Sequence, residues 1–230
     1  MLKVSDLSLS YKKKNVIKNA SFEVAEGSII GLLGSNGSGK STLLSAIAGI
    51  KKPDSGNISI NDINLNDNPT AYKKMFGYAT QENPLIEELT GMDNLLVWSP
   101  YKKDEIQKII SAPPLSNLGV HKFLDKKVSS MSGGMKKRLA LTSILMTDPK
   151  VLLMDEPFSA LDMVARYDIM EYIIAFKNAG GTVIIASHED MVLKACDKVL
   201  FINKGIVRPA VTNDDFDFID ILRSSLENER

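Results

Sequence analysis

Cysteine is nearly missing from this sequence of 230 residues. Cys196 stands alone, so no disulfide framework can form within the chain and a cysteine-based zinc site is excluded. Histidine is almost as scarce, with only His121 and His188, which argues against a histidine-rich metal centre. An excess of either charge is absent too: 28 Lys and Arg balance 28 Asp and Glu. No overall positive field is available to hold nucleic acid, and no nucleic-acid partner is expected. The longest apolar runs, near residues 28–33, 140–146 and 151–154, fall far below the roughly 20 residues of a bilayer span. The opening MLKVSDLSLS has no basic segment leading into an apolar one, so no signal peptide is expected. Together these absences predict a soluble chain kept in a reducing compartment, with any membrane spans supplied by another polypeptide. What remains is ordinary globular composition, 44% hydrophobic and 24% charged, in a length that suits one α/β domain with a small inserted lobe.

Loose alternation at residues 2–10 (Leu2, Val4, Leu7, Leu9) and 16–25 (Val16, Phe22, Val24) predicts an antiparallel pair. The basic stretch Lys12-Lys13-Lys14-Asn15 between them reads as a solvated turn. Residues 28–33 read as a buried strand, followed by a Gly/Ser/Asn loop and an apolar helix over about 40–50. Residues 57–63 suggest a short strand. Prolines 84, 100, 113 and 114 and two helical stretches, 92–98 and 103–110, mark residues 83–132 as a helical lobe inserted into the α/β body. Beyond it, helix (134–146), strand (151–154), helix (164–179) and strand (182–186) alternate, which predicts a mostly parallel sheet. Gly180-Gly181 reads as the stop of the long helix, and 199–208 as a final hairpin. The acidic tail, 209–230, carries Phe216, Phe218, Ile219 and Leu222, which would suit a short docked helix.

Gly34-Ser35-Asn36-Gly37-Ser38-Gly39-Lys40-Ser41 fits GxxxxGK(S/T) between an apolar strand and an apolar helix. Glycines let the backbone turn tightly and aim its N–H groups inward. The helix beginning near Lys40 adds the positive end of its dipole. Lys40 suits the β- and γ-phosphates of a nucleotide, and the Ser41 hydroxyl suits Mg²⁺, a hard ion that prefers oxygen.

Residues 151–156, Val-Leu-Leu-Met-Asp-Glu, run a buried strand into two acids at the edge where open α/β sheets bind ligands. Asp155 is placed to reach Mg²⁺ through water, and Glu156 to polarise an attacking water; taken alone, the pair reads equally as an acidic turn. His188 follows the strand 182–186 and could reach the γ-phosphate edge. Ser132-Gly133-Gly134-Met135 opens a helix with a capping serine and two bare residues, a second anion site.

In this order the motifs resemble the ATP-binding-cassette (ABC) ATPase family over nearly the whole chain. Residues 34–41 look like its Walker A motif, with Thr42 beside it, and 151–155 its Walker B. Glu156 looks like the catalytic glutamate, His188 the switch histidine and Ser132–Met135 the signature. Ser159-Ala160-Leu161-Asp162 is similar to the D-loop. Gln81 resembles the Q-loop glutamine that touches Mg²⁺ and the water, and Tyr11 the aromatic that stacks on adenine. By themselves Gln81 is a polar loop residue and Tyr11 a strand-end aromatic.

The resemblance implies a P-loop NTPase core with a mostly parallel sheet, an N-terminal antiparallel β subdomain and an inserted helical subdomain. It implies ATP and Mg²⁺ as cofactors, with Lys40, Gln81, Glu156 and His188 in catalysis. Gly34 to Thr42, Tyr11, Ser132, Gly133, Gly134 and Asp162 would hold nucleotide, and Ser41, Gln81 and Asp155 the metal. It further implies a second cassette packed head to tail, identical or homologous, and separate transmembrane permease subunits that hold the chain on the cytoplasmic face of the membrane. Leu85, Ile86, Leu89 and Leu95 could line the permease groove or form the lobe's own core. Transport is the expectation, with a lean to export; the alternative is a soluble single-cassette ATPase, for example in iron–sulfur cluster assembly. A nucleotide sensor without useful turnover rests only on Met135, which stands where the family signature has glutamine. That exchange removes a polar side chain and implies weaker nucleotide-driven closure. Cys196 reads as small core filler, Trp98 as packing within the lobe, and His121 has no assigned role.

Overall fold

The computed structural model describes residues 1–11, 14–82, 84–159 and 161–209. Lys12 and Lys13 of the basic turn, Ala160, and the helix expected in 210–230 lie outside the described residues. The chain begins with β1 (Leu2–Tyr11), β2 (Lys14–Val24), β3 (Ile29–Leu33), α1 (Lys40–Ile47), β4 (Ser55–Ile60) and β5 (Ile63–Asn64). It continues through α2 (Pro69–Lys73), β6 (Phe76–Ala79), α3 (Gly91–Trp98), α4 (Lys103–Ser111), α5 (Gly133–Leu145) and β7 (Val151–Asp155). The last elements are α6 (Met163–Asn178), β8 (Thr182–Ala186), α7 (Asp190–Ala195), β9 (Lys198–Asn203) and β10 (Ile206–Pro209).

Two sheets result. One is antiparallel, ordered β2-β1-β4-β5; the other is ordered β10-β9-β3-β8-β7-β6, parallel except for β10 at its edge. Every residue of β3, β7 and β8 is buried. Successive side chains alternate between two cores, as a strand's period of two requires. Val151, Leu153 and Ile184 pack with α1 and the antiparallel sheet, through Leu43, Leu44 and Ile47. Leu152, Met154, Val183 and Ile185 face α5, α6 and the helical region. Fully burying each such side chain is worth about 1.5–3 kcal/mol, so these central strands cannot leave the sheet cheaply.

Residues 84–131 contain α3, α4 and short 3₁₀ turns, with Leu95, Ile106, Leu118, Val120 and Val128 joining the same core as α5. Leu95 is therefore core and not a groove residue. Trp98 departs from its expected burial: α3 turns Met92 and Leu95 inward and leaves Leu96, Val97 and Trp98 exposed at its end. Cys196 packs against the missing Cβ of Gly31, and burial pushes its thiol up to about 12. The expected strand at 57–63 is β4, shifted to Ser55–Ile60, and the first helix ends at Ile47. Four-residue β6 pairs in parallel with β7; its Gly77 is required because a Cβ there would stand 2.6 Å from Ile144.

Candidate active site

Parallel strands point their carboxyl ends the same way, so the loops after β3, β6, β7 and β8 meet at one edge of the sheet. They enclose an open cavity of about 800 Å³. Tyr11, Asn36, Gly37, Gly39, Lys40, Ser41, Thr42, Gln81, Asp155, Glu156 and His188 all line it. Ser159, the first residue of the D-loop-like stretch, lines it too, and so does Val16, which no sequence motif singled out.

The loop after β3 is built around Gly34, whose φ is 155°. A Cβ there would fall 2.4 Å from the Ile202 carbonyl and 2.6 Å from the Ser38 hydroxyl. Gly39 takes the N-cap position of α1 and offers no side chain, so the first N–H groups of the helix stay open to an anion. The Ser38 Oγ is buried without a protein partner. Lys40 is buried, and its Nζ donates to the carbonyls of Gly34 at 2.7 Å and Ser35 at 3.4 Å. Bare helix N–H groups, a sheltered ammonium and an unpartnered hydroxyl suit phosphate.

Lys40, His188 and Glu156 form a charge-coupled group. The Nε2 of His188 lies 3.4 Å from the Lys40 Nζ and 3.4 Å from the Glu156 Oε1. Burial lowers the Lys40 pKa, opposed by Glu156 and Asp155. Burial raises that of Glu156; Lys40 opposes this, while Asp155 and Glu189 add to it. Burial, then the Lys40 charge, lowers His188, which keeps the imidazole neutral at neutral pH. Glu156 has φ of 47°, and its N–H donates to the Ala186 carbonyl at 2.9 Å across to β8. Left-handed backbone at a bulky residue costs on the order of 1–3 kcal/mol, and here it aims the carboxylate into the cavity.

Ser41, Gln81 and Asp155, the metal candidates from the sequence, all line this cavity and offer hydroxyl, amide and carboxylate oxygens. Among the described residues no three His, Cys, Asp or Glu side chains gather as a metal site. A sparse donor set of hydroxyl, amide and carboxylate beside a phosphate cradle fits Mg²⁺, which keeps several waters and shares substrate phosphates.

Tyr11 is 61% exposed, with the Lys51 Nζ 5.0 Å from its ring centroid. Ser132 caps α5, accepting from the Met135 N–H at 3.3 Å, and Asp162 caps α6, accepting from the Ala165 N–H at 2.8 Å. The starts of the two helices touch, because a Cβ on Gly134 would sit 3.0 Å from that of Ala165. Ser132, Gly133, Gly134 and Asp162 stand outside the cavity wall of their own chain. Arg166 bridges two loops, donating to the Leu161 carbonyl at 3.0 Å and to Glu189, beside His188, at 2.9 Å. An arginine at the fourth position after the α6 cap, with a glutamate beside the histidine, was the available clue to that bridge.

The sequence profile of the ABC transporter family matches residues 17–159, which spans the phosphate loop, Asp155 and Glu156. The chain belongs to the ABC transporter family. Nod factor export ATP-binding protein I of Rhizobium etli is 34% identical over 221 residues, covering 95% of this chain and 69% of that protein. The spermidine/putrescine import ATP-binding protein of Mycoplasma mycoides is 34% identical over 220 residues, covering 94% and 62%. Among solved structures, the ATP-binding subunit of an ABC transporter superposes with a TM-score of 0.85 at 27% identity, covering 98% of this chain and 99% of that one. A dimeric, post-hydrolysis ATP-binding cassette bound to ADP and Pi gives 0.80 at 27% identity, covering 91% and 98%. This cassette is an ATP-binding ATPase of that family. Among its described residues no helix is long and apolar enough to cross a membrane.

Proposed function

We propose that the cassette powers an ABC transporter, hydrolysing ATP to drive translocation through transmembrane subunits on separate chains. One observation carries the reading: the phosphate loop, Asp155, Glu156, His188 and Gln81 all border a single cavity. Two relatives at equal identity are named for export and for import, so the proposal assigns no direction.

In the proposed reaction, the N–H groups at the start of α1 and the Lys40 ammonium bind the β- and γ-phosphates, with Lys40 leaving the Gly34 and Ser35 carbonyls to do so. Tyr11 offers a stacking face to adenine. Ser41, Gln81 and Asp155 would hold Mg²⁺, which neutralises phosphate charge when bound. Glu156 orients a water and takes its proton on Oε1 as the water oxygen attacks the γ-phosphorus and the bond to the bridging oxygen breaks. Neutral His188, 3.4 Å from that carboxylate, steadies the arrangement. The α5 start of a second cassette, identical or homologous, closes the site from the other side: Ser132 and Gly133 are exposed and the helix has no acidic residue in its first turn. Binding closes the pair, and release of phosphate removes the shared anion and opens it. Met135 weakens that closure, because it packs against its own core and offers no polar group outward.

The test is purification with the membrane proteins encoded beside it. Stable co-purification and ATP-dependent transport in vesicles are expected. Full-rate hydrolysis by a chain that never associates with a membrane protein would overturn the transport assignment.

A further inference from the structure

Three charged side chains are buried among the described residues: Lys40, Asp155 and Lys137. The reaction already uses the first two. Lys137, in the second turn of α5, has no carboxylate within ion-pairing distance among the described residues, although the Asp155 charge acts on it from farther off, and its Nζ donates to the carbonyls of Thr80 at 3.0 Å and Gln81 at 3.4 Å. A buried ammonium with no direct ion pair carries a desolvation penalty that the Asp155 charge offsets only in part, and an apolar side chain of similar volume would serve packing better. Its carbonyl partners are the first two residues beyond β6, and the second of them is Gln81 itself, which borders the nucleotide cavity.

The neighbouring contacts belong to the same device. Lys136 grips Glu87 at 2.8 and 2.9 Å, and buried Asn94 holds both the N–H and the carbonyl of Ile86, at 2.8 and 3.1 Å. The segment that carries Gln81 is thus held at its far end from α3 and α5, and at its near end by Lys137. Beneath it lies a water-sized cavity of about 10 Å³, lined by Thr80, Lys137, Met154 and Pro157 among others. At its near end the loop is therefore tied to α5 by the two hydrogen bonds of the ammonium, beside a small void. Lys137 stands five residues after Ser132, about 7.5 Å along the helix axis.

We propose that Lys137 is a positioning residue: through the Thr80 and Gln81 carbonyls it holds the Gln81 amide at the cavity, and so ties it to the helix whose N-terminus faces the second cassette. The inference rests on the reading that Gln81 acts at the metal and water. Displacement of a positioning group by about 1 Å is worth up to ~100-fold in rate.

The test uses the full chain and four proteins: wild type, Lys137→Met, Gln81→Ala and the double variant. Hydrolysis is measured against Mg²⁺ concentration, and ATP affinity is measured separately in chelator. Lys137→Met is expected to lower kcat by about 10- to 100-fold and raise the Mg²⁺ needed for half-maximal rate, as Gln81→Ala does. Metal-free ATP affinity, which depends on Lys40, should stay within about twofold. Added to Gln81→Ala, Lys137→Met should lower kcat by less than about threefold further, since residues acting as a unit are not additive. Should Lys137→Met fail to fold, Lys137→Gln, neutral and one bond shorter, carries the same expectations. A folded variant with wild-type kcat and Mg²⁺ dependence overturns the proposal, and so does an undiminished loss in the Gln81→Ala background. Wild-type hydrolysis by Gln81→Ala itself would instead remove the role of Gln81, and the inference with it.

Discussion

Replacing Glu156 by glutamine exchanges one carboxylate oxygen for an amide and leaves the shape intact. Its effects on folding and on chemistry should separate. Burial pushes the Glu156 pKa up, so the fold prefers this side chain neutral. A carboxyl whose folded pKa lies above its unfolded one stabilises the fold below the unfolded pKa, and that contribution is lost as pH rises through the folded pKa. At pH 7 the glutamine, always neutral, escapes this loss. It gives up attraction to Lys40 and the 3.4 Å contact with His188, and it relieves repulsion from Asp155 and Glu189. The two sets oppose each other, and the expected change in unfolding free energy is within about 1 kcal/mol.

The chemistry should respond very differently. A positioned general base contributes roughly 10²- to 10⁴-fold, or about 2.7–5.5 kcal/mol of barrier. Single-turnover phosphate release from Glu156→Gln should fall by that factor, with ATP affinity retained because the phosphate loop is untouched. Trapped ATP should then hold two cassettes together, read as a doubled mass by light scattering after size exclusion with ATP and Mg²⁺. In wild type, the rate should decline on the acid side at a pH above the ordinary carboxylate range, since Glu156 must be ionised to accept a proton. Turnover of the variant within threefold of wild type would refute the role of Glu156, and a variant that stays monomeric with ATP would refute the two-cassette reading.

Lys40→Met should weaken ATP binding by roughly 10- to 150-fold in a calorimetric titration, the worth of about 1.5–3 kcal/mol for a charge-assisted hydrogen bond; unchanged affinity would contradict the phosphate-loop assignment. Tyr72→Phe removes the buried hydroxyl that donates to the Ile47 carbonyl at 2.8 Å. A loss of ~1–2 kcal/mol should lower Tm by roughly 2–8 °C without altering hydrolysis per folded molecule, and an unchanged Tm would contradict that bond. Burial pushes the Asp197 carboxyl up, but hydrogen bonds from Lys177 at 2.6 Å and the Ile29 N–H at 2.8 Å outweigh it and hold the pKa below its ordinary value. A depressed carboxyl stabilises above its unfolded pKa and loses that contribution as pH falls through the folded one, so wild type should lose urea resistance below about pH 4 more steeply than Asp197→Asn. Parallel slopes would show that Asp197 contributes nothing there.

Long apolar runs made β3, β7 and β8 legible, because a strand buried on both faces leaves no polar interruption. Four-residue β6 with its glycine, and α7 over six residues, are too short for any period to register. Trp98 departs from expectation for a geometric reason: its hydrophobicity argues for burial, but α3 ends at the turn where its inward stripe is complete. The phosphate loop was readable because its chemistry is contiguous in sequence. Lys137 was not, since its acceptors are backbone carbonyls 57 and 56 residues away, and a main-chain acceptor leaves no side-chain signature. Val16 borders the cavity only because the hairpin folds its strand over the loop, a tertiary consequence that no local pattern carries.

The charges of the site also explain why substrate binding and chemistry should be linked. Without nucleotide the Lys40 ammonium rests on its own loop carbonyls and draws down the proton affinity of Glu156. In the proposed complex a triphosphate claims that ammonium and brings further negative charge. Glu156 then loses its opposing cation and gains anionic neighbours, and both changes raise its basicity. The base strengthens only once a phosphate is present for the water to attack. This gain comes with a requirement. A stronger base is also more readily protonated, so the carboxylate stays ionised only if the added negative charge is balanced. Balance can come from the metal that Ser41, Gln81 and Asp155 are proposed to hold, and from the open helix start of the proposed second cassette. Hydrolysis should therefore wait for both, which is the behaviour expected of a motor whose closure must precede its power stroke.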